Sequence, residues 1–151
     1  PQVMKGYWNL PNKTVRALRN CWLYTGDIAR MDEDGYFYII DRKFNMINYA
    51  GYKIFPREVE EIILSHPHVA ETVCIGVPEK HFGEVIKAFV VLKDNTAATP
   101  EEIIDFCRAR LVKYKVPRQV EIRSELPKSV FGKILRHNLI IEEQHRRLLG
   151  D

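Results

Sequence analysis

The segment PKSVFGKILR, residues 127–136, sets a glycine–lysine pair, Gly132 and Lys133, between an irregular loop and a helical pattern. It is not a phosphate-binding P-loop. That motif requires a glycine five residues before the second glycine and Ser or Thr after the lysine; here Pro127 and Ile134 stand there. If the last helix opens at Gly132, a cation at its start opposes the macrodipole at a cost of about 0.3–1 kcal/mol. The same place becomes useful when an anion docks, because backbone N–H groups, the positive helix end and the ammonium converge on it. The plain alternative is a surface lysine at a helix start. A second group is YTGD, Tyr24–Asp27. It reads as a turn, or as a carboxylate held at a strand end, where an ionised Asp can accept from both hydroxyls of a ribose diol. A third is DRK, Asp41–Lys43. It reads as a solvated linker, or as a site where the Arg42 fork of donors grips ribose or phosphate oxygens.

These residues need elements to hold them. Aromatic and β-branched runs flank DEDG, predicting strands near Trp22–Tyr24 and Ile28–Met31, a turn at Asp32–Gly35 and a strand over Tyr36–Asp41. KFNMINYAGYKIFP reads as a β-loop-β element turning at Gly51. Pro56 suits a first helical position, with Val59, Ile62, Ile63 and His66 on one face and Pro67 as the stop. ETVCIGV and EVIKAFVVL read as buried strands. Thr99, Pro100 and Glu102 spell a capping box, ahead of an apolar face of Ile103, Ile104, Cys107 and Leu111. QVEIRS is a short strand, and a last helix is expected from Gly132 to about Arg147. The order β-β-α-β-β-α-β-α predicts an α+β domain over residues 43–151, a small mixed sheet with three helices. Residues 1–41 read as all β and too small to hold a core.

Composition narrows the class. The apolar fraction of 46% and charged fraction of 28% are those of a globular protein, and a net charge of +3 demands no nucleic-acid partner. Cys21, Cys74 and Cys107 are odd in number and widely spaced, against a disulfide framework or a zinc site. A reducing, cytoplasmic setting is expected. No apolar run approaches the roughly 18 residues that span a membrane. The opening PQVMKGYWNLPNKTVRAL has neither an initiator methionine nor a helix start, so the chain is expected to be part of something larger.

In order and spacing, the run from Trp22 to Lys93 followed by YKVPRQVEIRSELPKSVFGKILR closely resembles the C-terminal part of the AMP-forming acyl-CoA synthetases. Their superfamily includes firefly luciferase and the adenylation domains of peptide synthetases. The resemblance covers nearly the whole chain. It implies an AMP-forming acid–thiol ligase using ATP, Mg²⁺ and coenzyme A in two half-reactions: a carboxylate attacks the α-phosphate of ATP, then the thiol attacks the acyl-adenylate. It makes residues 1–41 the tail of a large N-terminal domain, 42–48 a hinge region and 43–151 a lid that rotates between the steps.

By the same resemblance Lys133 is catalytic, bridging the acyl carboxylate and the α-phosphate. Asp27 and Arg42, with Tyr24, belong to the nucleotide-binding set. Ala50, Gly51 and Tyr52 form a loop that swings in for thioester formation, and Gly51 lets the pantetheine arm approach closely. Lys87 either meets a phosphate of coenzyme A or is a half-exposed strand lysine. Glu84 recurs in the family and receives no role. No metal ligand is assigned; Mg²⁺ would be held mostly by nucleotide phosphates. Two positions depart from the family pattern. Phe44 stands where the hinge usually carries Asp or Lys, and is expected to be packed rather than solvated. Phe131 replaces the small hydroxyl residue common before Gly132, a version similar to fatty acyl-CoA synthetases and pointing to a medium- or long-chain acid.

The fragment alone is expected to be inactive, its partners being the missing N-terminal domain, ATP, a carboxylic acid and CoA. For residues 1–41, whose edges need cover, packing onto a second chain as a dimer, swapping, or disorder is expected. A rival from another class is a non-catalytic binding module for RNA or protein, using the basic last helix (Arg136, His137, His145, Arg146, Arg147). That rival requires exposed aromatics on a sheet face, whereas EVIKAFVVL reads as buried.

Overall fold

The computed structural model describes residues 2–150. The chain divides into two compact units, Pro1–Phe44 and Asn45–Asp151.

The first unit has no buried residue among those described. A seven-residue helix, α1 (Pro11–Ala17), leads into a two-stranded ribbon of β1 (Leu18–Arg19) and β2 (Trp22–Leu23). This corrects the all-β expectation. Pro11 at the first helical position was the available signal. The second pair is the expected hairpin, β3 (Asp27–Met31) against β4 (Phe37–Arg42). Its DEDG turn forms because the Asp32 carboxylate accepts from the N–H groups of Asp34 and Tyr36, while Gly35 takes φ +86°.

The second unit follows the predicted order. β5 (Ile47–Tyr49) and β6 (Tyr52–Ile54) form a hairpin, then come α2 (Pro56–Leu64), β7 (Val69–Glu79), β8 (Gly83–Leu92), α3 (Pro100–Arg108), β9 (Gln119–Arg123) and α4 (Arg136–Leu149). β7 and β8 pair antiparallel along nearly their whole length; β9 runs parallel to β8, and β5 meets β8 at Tyr49–Gly83.

Both faces of this sheet are covered, which is why its long strands read as continuous apolar runs. On one face Cys74, Ile86, Ala88 and Val90 pack with Val59 and Ile63 of α2 and with Ile103 and Cys107 of α3. On the other, Val73, Ile75, Val77, Val85 and Phe89 pack with Leu126 and with Leu139 of α4. Each buried Val, Ile, Leu or Phe among them contributes roughly 1.5–3 kcal/mol by leaving water. Burial also pushes the Cys107 thiol up to about 11 and the Cys74 thiol well above its ordinary value, so both pack as small apolar groups.

The capping box of α3 forms as the sequence predicts. Glu102 N–H donates to Thr99 Oγ1 at 3.2 Å, and Thr99 N–H donates to Glu102 Oε2 at 2.8 Å. Thr99→Ala is expected to cost about 1 kcal/mol in urea denaturation; an unchanged midpoint would show that the cap contributes nothing.

Three helix boundaries differ from expectation. α2 stops at Leu64, short of His66. α4 opens at Arg136 rather than Gly132. Residues 127–135 fold back on themselves, with Lys128 bridging Ile134 and Leu135 N–H donating to Pro127 O at 2.7 Å. α3 stops at Arg108, so Leu111 packs on the core from beyond the helix. Among the described residues no helix is long and apolar enough to cross a membrane.

Candidate active site

The hairpin register of the first unit sets Asp27 directly opposite Arg42. Arg42 Nε lies 2.8 Å from Asp27 Oδ1, and its NH1 donates to Thr25 O at 3.2 Å. Thr25 Oγ1 accepts from Asp27 N–H, and Gly26, at φ +78°, lets the chain turn so that its carbonyl accepts from Lys43 N–H at 2.8 Å. The Asp27 side chain is 20% exposed and that of Arg42 52%. Asp27 Oδ2 makes no ion pair or hydrogen bond among the described residues. Tyr24 is exposed, with the Arg19 guanidinium 5.2 Å from its ring centroid.

Phe44 is 76% exposed, against the expectation of a packed aromatic. It lies in a single 3₁₀ turn, Lys43–Asn45, at the end of a unit with no buried side chains for it to join.

In the second unit Lys133 sits on an ordered turn, three residues ahead of α4. The Ser129 hydroxyl accepts from the N–H groups of Phe131 and Lys133 at 3.3 and 3.2 Å, while Ser129 N–H donates to Lys133 O at 2.8 Å. A hydroxyl is thus present in this loop, two positions earlier than the family pattern suggested. Gly132 takes φ +78°, a left-handed conformation costly to other residues. Val130 and Phe131 at the tip are 95% and 94% exposed. The Lys133 side chain is exposed and makes no ion pair among the described residues. The position therefore presents a free ammonium; it is not a helix N-terminus.

The β5–β6 turn is equally well defined. Ala50 and Gly51 both have positive φ, +47° and +88°, as a two-residue hairpin turn of this type demands. Ala50 N–H donates to Phe82 O at 2.7 Å, Tyr49 stacks on Phe82 with centroids 4.8 Å apart, and Asn48 N–H donates to Glu84 Oε2 at 2.7 Å. Glu84 thus gains a role that the sequence did not supply: it fastens this turn to the start of β8. Tyr52, half-exposed, stacks on Tyr114.

Lys87 does not stand where a phosphate could reach it freely. It is 6% exposed, so it is not a half-exposed strand lysine either. Its ammonium lies 2.6 Å from Glu143 Oε2 and 2.9 Å from Glu121 Oε2, sealed by α4. Glu121 also meets Arg123 and Arg146. Partial burial raises its pKa, but the hydrogen bonds from Arg146, Lys87 and Arg123 outweigh burial and hold it down at about 2. Lys87 already has its anions, a physical reason to remove it from the CoA-binding set.

No cluster of three or more His, Cys, Asp or Glu among the described residues could hold a metal ion. β8 offers no stacking platform for a nucleobase, since Phe89 is 1% exposed.

The model of the AMP-binding enzyme C-terminal domain matches residues 58–133, ending on the exposed lysine. The chain belongs to this family. It is 54% identical over 143 residues to the long-chain-fatty-acid–CoA ligase of Bacillus subtilis, covering 95% of this chain and 26% of that protein. The corresponding ligase of Escherichia coli O6:H1 is 50% identical over 139 residues, 92% of this chain and 25% of that one. Among solved structures, ATP-bound MatB from Rhodopseudomonas palustris superposes with a TM-score of 0.86 at 33% identity, over 92% of this chain and 28% of that one. This AMP-binding C-terminal domain and its preceding segment thus span about a quarter of the length of the relatives they match.

Proposed function

We propose that the chain is the C-terminal part of a carboxylate–CoA ligase that activates a medium- or long-chain fatty acid with ATP and then transfers the acyl group to coenzyme A. Lys133 draws the acyl carboxylate and the α-phosphate of ATP together. Asp27, oriented by Arg42, takes the ribose hydroxyls, with Tyr24 also in the nucleotide-binding set. Residues 42–48, Phe44 among them, form the hinge, and the turn Ala50–Tyr52 serves the thioester step. Mg²⁺ would be held mostly by the nucleotide phosphates. The observation that carries the reading is the free, solvent-presented Lys133 ammonium on an ordered turn. What separates it from the chain's other exposed lysines is the hydrogen-bonded turn that carries it and its place at the end of the family match. Spanning about a quarter of its relatives' length, the isolated chain is expected to be inactive on its own.

The nucleotide assignment is tested by Asp27→Ala in the full-length enzyme, assayed as fatty-acid-dependent pyrophosphate release. Hydrogen bonds to a charged group are worth about 1.5–3 kcal/mol, so KM for ATP is expected to rise roughly tenfold to a hundredfold with KM for the fatty acid little changed. An unaltered KM for ATP would remove Asp27 from the site.

A further inference from the structure

Arg136 is the first residue of α4, where a cation opposes the helix dipole. Its side chain is turned inward, 19% exposed, with NH2 2.5 Å from Glu60 Oε1. Glu60 lies on α2, is 14% exposed, and its Oε1 also accepts from Cys74 N–H of β7 at 2.7 Å. One carboxylate oxygen therefore joins the middle of α2, the centre of β7 and the first residue after the Lys133 turn. The other limb of the turn is tied as well: Lys128 Nζ lies 2.6 Å from Glu71 Oε1 at the start of β7. Helix stability would favour a neutral or acidic residue at position 136. An arginine there makes sense as a tether.

We propose that Arg136, held by Glu60, is a positioning residue for Lys133: it fixes the root of the turn so that the ammonium is carried at a set distance from the sheet. This rests on the role proposed above for Lys133. A group that must meet two anions at once is sensitive to placement, and a displacement of about 1 Å can cost up to a hundredfold in rate. The Lys128–Glu71 pair is more exposed, 39% and 35%, and is the weaker tie.

The test uses the full-length enzyme and measures the half-reactions separately: single-turnover acyl-adenylate formation, and thioester formation from preformed acyl-adenylate and CoA. Arg136→Gln and Glu60→Gln are each expected to slow adenylation about tenfold, leaving thioester formation within twofold and KM for ATP unchanged. Arg136→Lys is expected to recover part of the loss. Were Arg136→Gln to fail to fold, the near-isosteric Glu60→Gln decides alone. Equal losses in both half-reactions would mean a purely structural role and overturn the proposal, as would unchanged adenylation in a folded variant. Lys133→Ala is run alongside. If it slows adenylation while the Arg136 and Glu60 variants do not, the tether is wrong and the role of Lys133 stands. If Lys133→Ala itself has no effect, the underlying reading fails first.

Discussion

Lys133→Ala in the full-length enzyme is expected to slow acyl-adenylate formation by two to three decades, since removing one preorganised electrostatic contact to a developing charge costs about 3–4 kcal/mol. Thioester formation from supplied acyl-adenylate should proceed at nearly the normal rate. The asymmetry follows from what the ammonium would do. Two anions repel as they approach, and a cation between them lowers the barrier to that encounter. Once the adenylate exists, the carboxylate charge is gone. Stability should be untouched, because the side chain is exposed and makes no ion pair among the described residues, and surface substitutions of this kind change it little. Rapid-quench measurement of both steps checks this. Adenylation at the normal rate, or equal losses in the two steps, would refute the assignment.

The second large effect is on folding. Lys87→Met should destabilise the chain by roughly 3–5 kcal/mol, because breaking a buried pair strands the remaining charge. The stranded group is Glu143, 7% exposed. Arg146 NH1, at 3.7 Å, is too distant to replace the lost hydrogen bond. The double variant Lys87→Met/Glu143→Leu should recover most of the loss, since an apolar pair of similar volume suits the surrounding Val85, Phe89 and Leu139. Urea denaturation of all three proteins decides it. A single variant within about 1 kcal/mol of the parent, or a double variant no better than the single one, would show that the pair is not the lock it resembles. The same network has an acid limit. Glu121 titrates lower in the folded chain than in the unfolded one, so its contribution is complete above the ordinary carboxylate range and is lost as pH falls toward about 2.

What the sequence disclosed and what it hid divide along chain distance. The α3 cap involves residues three apart and was readable in full. The hairpin that sets Asp27 opposite Arg42 was readable because both limbs leave the same DEDG turn. α1 was overlooked despite Pro11, since it has no apolar face buried in its unit to give it a pattern. The start of α4 was placed too early because ILRHNLI has helical spacing, whereas the Ser129 hydroxyl and the Lys128–Ile134 bridge hold residues 128–134 in a turn. Lys87 interrupts an apolar run, a pattern compatible both with a phosphate contact and with a half-exposed strand lysine. Its partner is 56 positions away; the one clue was Glu143 four residues after Leu139, on the same helical face. The Glu60–Arg136 tether spans 76 positions, and composition gives no hint of it.

The β7–β8 hairpin carries a turn at each end. The Lys133 turn is tied to Glu71, near the first residues of β7, and the Ala50–Gly51 turn leans on Phe82 and Glu84, past its last. From Glu71 to Glu79 the strand extends about 26 Å at roughly 3.3 Å per residue. A stiff bar of that length cannot serve one small reaction centre with both tips at once. On the roles proposed for the two turns, bringing one tip in would carry the other out, and the span of a single strand would keep the two steps in order.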